Sequence, residues 1–115
     1  MKLVAPAAVL LLVFLGLFPS PASACRCVLP SPEEALTEAD TVFNGTVVAI
    51  AVLEFEVHAF VDWLDVWKGE LPAGTLARVV TADSSAACGY PFQEGEELVI
   101  FARTASGHME TNTCT

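Results

Sequence analysis

The chain is poor in positive charge. Its 115 residues carry five Lys and Arg against 14 Asp and Glu. That balance argues against the basic face needed to neutralise nucleic-acid phosphates or an anionic membrane. It suits solubility, and equally a basic protein partner. Histidine is almost absent: His58 and His108 are single and far apart, and are expected on strand surfaces rather than in a ligand set. No Gly-x-Ser-x-Gly, glycine-rich phosphate loop or His-Glu-x-x-His occurs, so no catalytic constellation supports an enzyme. The acidic stretch Glu94, Glu96 and Glu97 is expected to be a solvated turn, not an acid–base pair. There is no repeat, low-complexity tract or interdomain linker.

One apolar run is present, at the start. Lys2 precedes an apolar stretch from Leu3 to Phe18, Pro19-Ser20-Pro21 interrupts it, and Ala22-Ser23-Ala24 supplies small residues at −3 and −1. This is the pattern of a secretory signal peptide over residues 1–24. A membrane anchor is the alternative, but the run is short and no basic stop-transfer cluster follows. Cleavage leaves 115 − 24 = 91 residues, one small domain over 25–115 with a limited core. Lys2 is the only charged residue removed, so the mature charge is 4 − 14 = −10. The expected location is extracellular, or periplasmic for a bacterial source, with no membrane association after cleavage.

All four cysteines, Cys25, Cys27, Cys88 and Cys114, follow the cleavage site. An even count in a small exported domain implies disulfides. Bonding Cys25 to Cys27 closes too small a ring, which leaves 25–88 with 27–114, or 25–114 with 27–88. A four-cysteine zinc site is the competing reading, but Cys-x-Cys with two distant single cysteines is not a finger spacing. Paired thiols also argue against cysteine-hydrolase chemistry. A bacterial lipoprotein would likewise begin at Cys25, but its signal wants a leucine-like residue where Ala22 stands, and lipidation leaves an odd number of thiols. The mature chain is therefore expected to begin at Cys25, whose α-amine and carbonyl oxygen are neighbours able to chelate a metal ion.

After the cysteines, Ser31-Pro32-Glu33-Glu34 reads as a helix start with a capping serine, a first-turn proline and a capping-box glutamate. The helix is expected to run to about Ala39. The remainder reads as β. A long strand over Thr41 to Leu53 is expected to bend or bulge at Gly45, and Asn44-Gly45-Thr46 matches the N-glycosylation acceptor pattern. Phe55, Val57, Ala59, Val61 and Trp63 alternate onto one face of a second strand, with a slip before Val66 and Trp67. Further strands are expected over 75–81, 97–103 and 108–113. Five strands and a small helix suggest an all-β barrel or sandwich.

Taken in order, these segments resemble the inhibitory N-terminal domain of the tissue inhibitors of metalloproteinases, a netrin-like module. Cys25-Arg26-Cys27 stands at that family's Cys-x-Cys start. Pro30, Pro32, Ala35-Leu36, Ala39-Asp40, Val66-Trp67-Lys68-Gly69, Cys88-Gly89-Tyr90, Glu96 to Ile100 and Gly107 to Cys114 follow its pattern across nearly the whole mature chain. The resemblance implies a five-stranded OB-fold barrel and the pairing Cys25–Cys88 with Cys27–Cys114, each loop alone worth roughly 4 kcal/mol and the two not additive because they interleave.

The resemblance further implies a secreted, monomeric metalloendopeptidase inhibitor. It has no cofactor of its own and chelates the target's catalytic zinc through the Cys25 amine and carbonyl. Arg26 points into the S1′ pocket, and Cys27, Val28, Ser85, Ala86, Ala87 and Cys88 form the contact edge. The chain also departs from the family. Arg26 replaces a small or polar residue, which implies an acidic or open pocket or weak inhibition of ordinary matrix proteases. Thr37 stands where a third cysteine is found, and the loop between the first two strands is short. The chain stops one residue after Cys114, which fits a minimal bacterial-type homologue or a fragment. A netrin-like binding module that inhibits nothing is the other reading.

Overall fold

The computed structural model describes residues 25–114. The expected signal peptide, residues 1–24, lies outside the described residues. The elements run α1 (Pro32–Glu38), β1 (Thr41–Leu53), β2 (Glu56–Lys68), β3 (Ala77–Ala82), a single 3-10 turn (Ser85–Ala87), β4 (Glu97–Ala105) and β5 (His108–Glu110). The five strands close into a ring in the order β1-β2-β3-β5-β4. All neighbours are antiparallel except β3 and β5, which pair in parallel through Val79–Met109 and Val80–Glu110. Among the described residues no helix is long and apolar enough to cross a membrane.

Alternation along the strands fills the ring. Phe43, Val47, Val61 and Val79 are sealed from solvent, with Ala59, Ala77, Phe92, Ile100 and Ala102 around them. Each large apolar side chain so buried contributes roughly 1.5–3 kcal/mol. The alternation is not continuous. In β1 the register against β2 shifts between Val47 and Ala49, so Ile50, which strict alternation from the buried Val47 places outside, packs against the core. The expected irregularity at Gly45 is also present. A Cβ there would lie 2.5 Å from the Asp62 carbonyl oxygen and 2.6 Å from Val61 Cγ1, so glycine allows β2 to cross closely as the register slips between Phe43 and Gly45.

Three expectations need correction. Phe55 does not share the inner face with Val57, Ala59, Val61 and Trp63. It sits in the β1–β2 turn with φ 67° and is 73% exposed, because the turn takes in Phe55 and β2 starts one residue later, at Glu56. β3 begins at Ala77, not Thr75: its pairing with β2 ends at Val61–Ala77, and beyond that the Thr75 carbonyl accepts from the Trp63 indole N–H at 3.1 Å. β5 ends at Glu110, not Thr113. After one last bond from the Thr111 N–H to the Val80 carbonyl, the backbone turns toward Cys88, whose carbonyl accepts from the Thr113 N–H.

Helix α1 starts as expected, with Ser31 Oγ accepting from the Glu34 N–H at 3.2 Å. Its last turn has no basic residue of its own. Lys68, at the end of β2, supplies one: Nζ donates to the carbonyls of Leu36 and Thr37 at 2.8 and 3.0 Å. A cation at the C-terminal carbonyls satisfies orphan acceptors and complements the helix dipole. Arg103 pairs with Glu38 at 2.8 Å, and the Asp40 carboxylate accepts from the Thr104 N–H at 2.8 Å. These contacts fix the segment that leads back to Cys25.

Candidate functional site: a cysteine-tethered edge

Both disulfides lie at one end of the ring and join Cys25 to Cys88 and Cys27 to Cys114. This is the pairing implied by the family resemblance. The Cα separations are 5.0 and 5.8 Å, within the range that disulfides span. The first described segment, residues 25–31, has no regular structure, so these bonds position it.

Local backbone chemistry builds the receiving loop. Ser84 Oγ accepts from the Ala87 N–H at 3.3 Å, and the Ser84 carbonyl accepts from Gly89 N–H at 2.9 Å. The Ser85 carbonyl accepts from the Cys88 N–H at 3.1 Å. These bonds wind Ser85–Ala87 into one 3-10 turn that ends with Cys88 in the left-handed region, φ 64°. Gly89 then passes against the Ala82 and Ser84 carbonyls with no room for a Cβ. The serine and small-residue run therefore has a physical purpose: a tight, exposed turn presenting Cys88 toward the N-terminal segment.

The C-terminal segment closes the site. The Cys88 carbonyl accepts from the Thr113 N–H at 3.0 Å, and the Thr111 N–H reaches the Val80 carbonyl at 3.0 Å. Asn112 Oδ1 accepts from the Cys114 N–H at 2.8 Å. Cys25 Sγ lies 3.7 Å from Thr113 Oγ1. The β1–β2 turn joins the same end, through the Asp83 N–H and the Phe55 carbonyl at 3.3 Å.

Cys25, Cys27, Cys88 and the turn Ser85, Ala86 and Ala87 are thus brought to one end of the molecule. Ser85, Ala86 and Ala87 are exposed, as are Arg26, Cys27 and Val28, the last at 94%. Arg26 is in none of the ion pairs among the described residues. Val28 is placed on the tether with no packing partner in the core. Sequence reasoning missed Asn112, Thr113 and the Phe55 turn. Asn112 and Thr113 were legible as neighbours of Cys114; the Phe55 turn carries no local signal.

The histidines are on strands, as expected, and each meets a carboxylate two residues away: His58 with Glu56 and His108 with Glu110, both at 2.8 Å. Their side chains are more covered than a surface position implies, 14% and 21% exposed. Glu96 is not merely solvated either. It accepts the Tyr90 hydroxyl at 2.6 Å, and this hydrogen bond, with burial and the adjacent negative charge, raises the Tyr90 pKa above its ordinary value.

The Sγ atoms of Cys25, Cys27 and Cys114 lie within 4.8 Å of one another, and Cys88 Sγ is 3.7 Å from Cys114 Sγ. Bonded as disulfides, these sulfurs have no thiolate to offer a metal. No protein-family model matches the chain, and a search of curated proteins gives no match.

Proposed function

We propose that the protein is a secreted inhibitor of zinc metalloendopeptidases, built on a netrin-like OB-fold barrel and resembling the tissue inhibitors of metalloproteinases. The observation that carries this reading is the Cys25–Cys88 bond, which ties the residue after the expected cleavage site to an exposed turn of small residues. Cleavage before Cys25 frees an α-amine beside the Cys25 carbonyl, a bidentate ligand for a zinc ion that keeps a coordination position open for water. Tethering reduces the entropy lost on binding. Ser85, Ala86 and Ala87 form the second edge of the wedge, flanked by Cys27 and Val28. The amine coordinates in its neutral form, so binding strengthens as pH rises toward its ordinary pKa of about 8.

Arg26 enters the target's S1′ pocket in this reading. Its guanidinium is exposed and unpaired by any acidic side chain of the described residues, so the preferred pocket is acidic or open to water. The test is a panel of zinc endopeptidases assayed with the chain beginning at Cys25 and with one alanine added before it. Inhibition is expected from the first and not from the second. Equal inhibition by both rules out chelation by the first residue.

A binding module without protease inhibition is the second reading. It is favoured by a groove of about 210 Å³ away from the cysteines, lined by Asn44, Gly45, Thr46, Leu64, Glu97, Leu98 and Val99, where Leu64 and Val99 are 73% and 54% exposed. A chain that inhibits no member of the panel supports it.

A further inference from the structure

We propose that the reduced chain holds one zinc ion on the four thiolates of Cys25, Cys27, Cys88 and Cys114. A zinc–thiolate bond of about 2.3 Å sets the edge of a tetrahedral four-sulfur site at about 3.8 Å. Cys88 and Cys114 Sγ are already 3.7 Å apart, and Cys25, Cys27 and Cys114 Sγ all lie within 4.8 Å of one another. The sulfurs of the two disulfides therefore form one cluster, in which the unbonded Cys88–Cys114 edge is already at tetrahedral spacing. Opening each bonded pair to that spacing needs a movement of under about 2 Å shared by two side chains.

The fold supplies half of this site without the disulfides. Cys88 is fixed by its N–H to the Ser85 carbonyl, at 3.1 Å, and by its carbonyl to the Thr113 N–H, at 3.0 Å. Cys114 is fixed by its N–H to Asn112 Oδ1 at 2.8 Å. Two ligands are thus preorganised side by side, and the other two arrive on one unstructured segment with a single residue between them. That intervening residue, Arg26, brings a positive charge beside the doubly negative four-thiolate zinc centre. Soft thiolates in a closed tetrahedral set select zinc over hard cations.

Reduction consumes two electrons and two protons per disulfide. A phosphine supplies the electrons and ends as its oxide, with water as the source of oxygen and protons. Zinc then displaces up to four thiol protons, so its affinity rises with pH. This inference does not depend on protease inhibition.

The test reduces the purified chain with a water-soluble phosphine, excludes oxygen and titrates cobalt(II), then zinc(II). The expected result is one cobalt per chain with the absorption of a tetrahedral four-thiolate site, displaced by one equivalent of zinc, while the oxidised chain binds neither. Cys27→Ser and Cys114→Ser each weaken binding by at least the roughly 10–100-fold that loss of a supporting hydrogen bond costs a metal site. The proposal is overturned if the reduced chain takes no stoichiometric cobalt, or if either serine variant binds as the parent does. It is equally overturned if the reduced chain in urea binds as tightly as in buffer, since the fold then contributes nothing.

Discussion

Phe43, Val47, Val61 and Val79 are sealed inside the ring. At the cysteine-tethered edge no residue from Cys25 to Leu29, from Ser84 to Cys88, or from Thr111 to Cys114 is fully buried. The ring is held by apolar burial and strand pairing around its whole circumference. The edge is held by two covalent bonds and a few backbone hydrogen bonds. The contrast shows how a domain this small divides its labour. The core resists solvent, while the edge stays exposed and fixed, which a contact surface requires. The cost is dependence on oxidation: a reductant acts on the edge first.

The sharpest way to break this contrast is to attack the ring. Phe43→Ala empties the most enclosed aromatic position and is expected to cost about 3–5 kcal/mol, read as a lower urea midpoint with ring and edge lost together. A smaller loss, about 2–4 kcal/mol, is expected when Cys27→Ser and Cys114→Ser are combined. Far-UV circular dichroism should then keep its strand signal. Disappearance of that signal at low temperature means the edge is part of the core's cooperative unit, and the division fails.

Ser31→Ala removes the α1 cap at the hinge between edge and ring and is expected to cost about 1 kcal/mol, measured by urea unfolding. Tyr90 links the regions in another way, lying two residues beyond Cys88 with its hydroxyl on Glu96. Its pKa is raised in the fold from 10.0, so the neutral phenol is favoured when folded. That stabilisation is complete below pH 10 and is lost as pH rises from there through the higher folded value. Tyr90→Phe should flatten the stability profile above pH 10, and an unchanged slope there contradicts the assignment.

The two regions also differed in how far the sequence revealed them. Ring strands were legible because alternation and turn residues are local, as with Val57, Ala59 and Val61 or the close approach that Gly45 permits. Phe55 misled because its apolar character continues the alternation while the backbone is already turning. The short β5 is harder to bound, because Thr111 and Thr113 both have strand-forming side chains: the Thr111 N–H still bonds Val80 as the last rung beside β3, while the Thr113 N–H goes to the Cys88 carbonyl. At the edge, the cysteines were visible but their pairing was not readable from spacing alone; it came from the resemblance. The Tyr90–Glu96 and Lys68–helix contacts join residues with no periodic relation, so no local pattern announces them.

In the proposed inhibitor the Cys25 amine and carbonyl bind the target's catalytic metal directly. The measurement that tests it is the visible spectrum of a zinc endopeptidase inhibited by the chain beginning at Cys25, with cobalt(II) in place of its catalytic zinc. Chelation by the Cys25 amine and carbonyl predicts a changed coordination geometry, seen as shifted d–d bands at one equivalent of inhibitor. Full inhibition with an unaltered cobalt spectrum would contradict it.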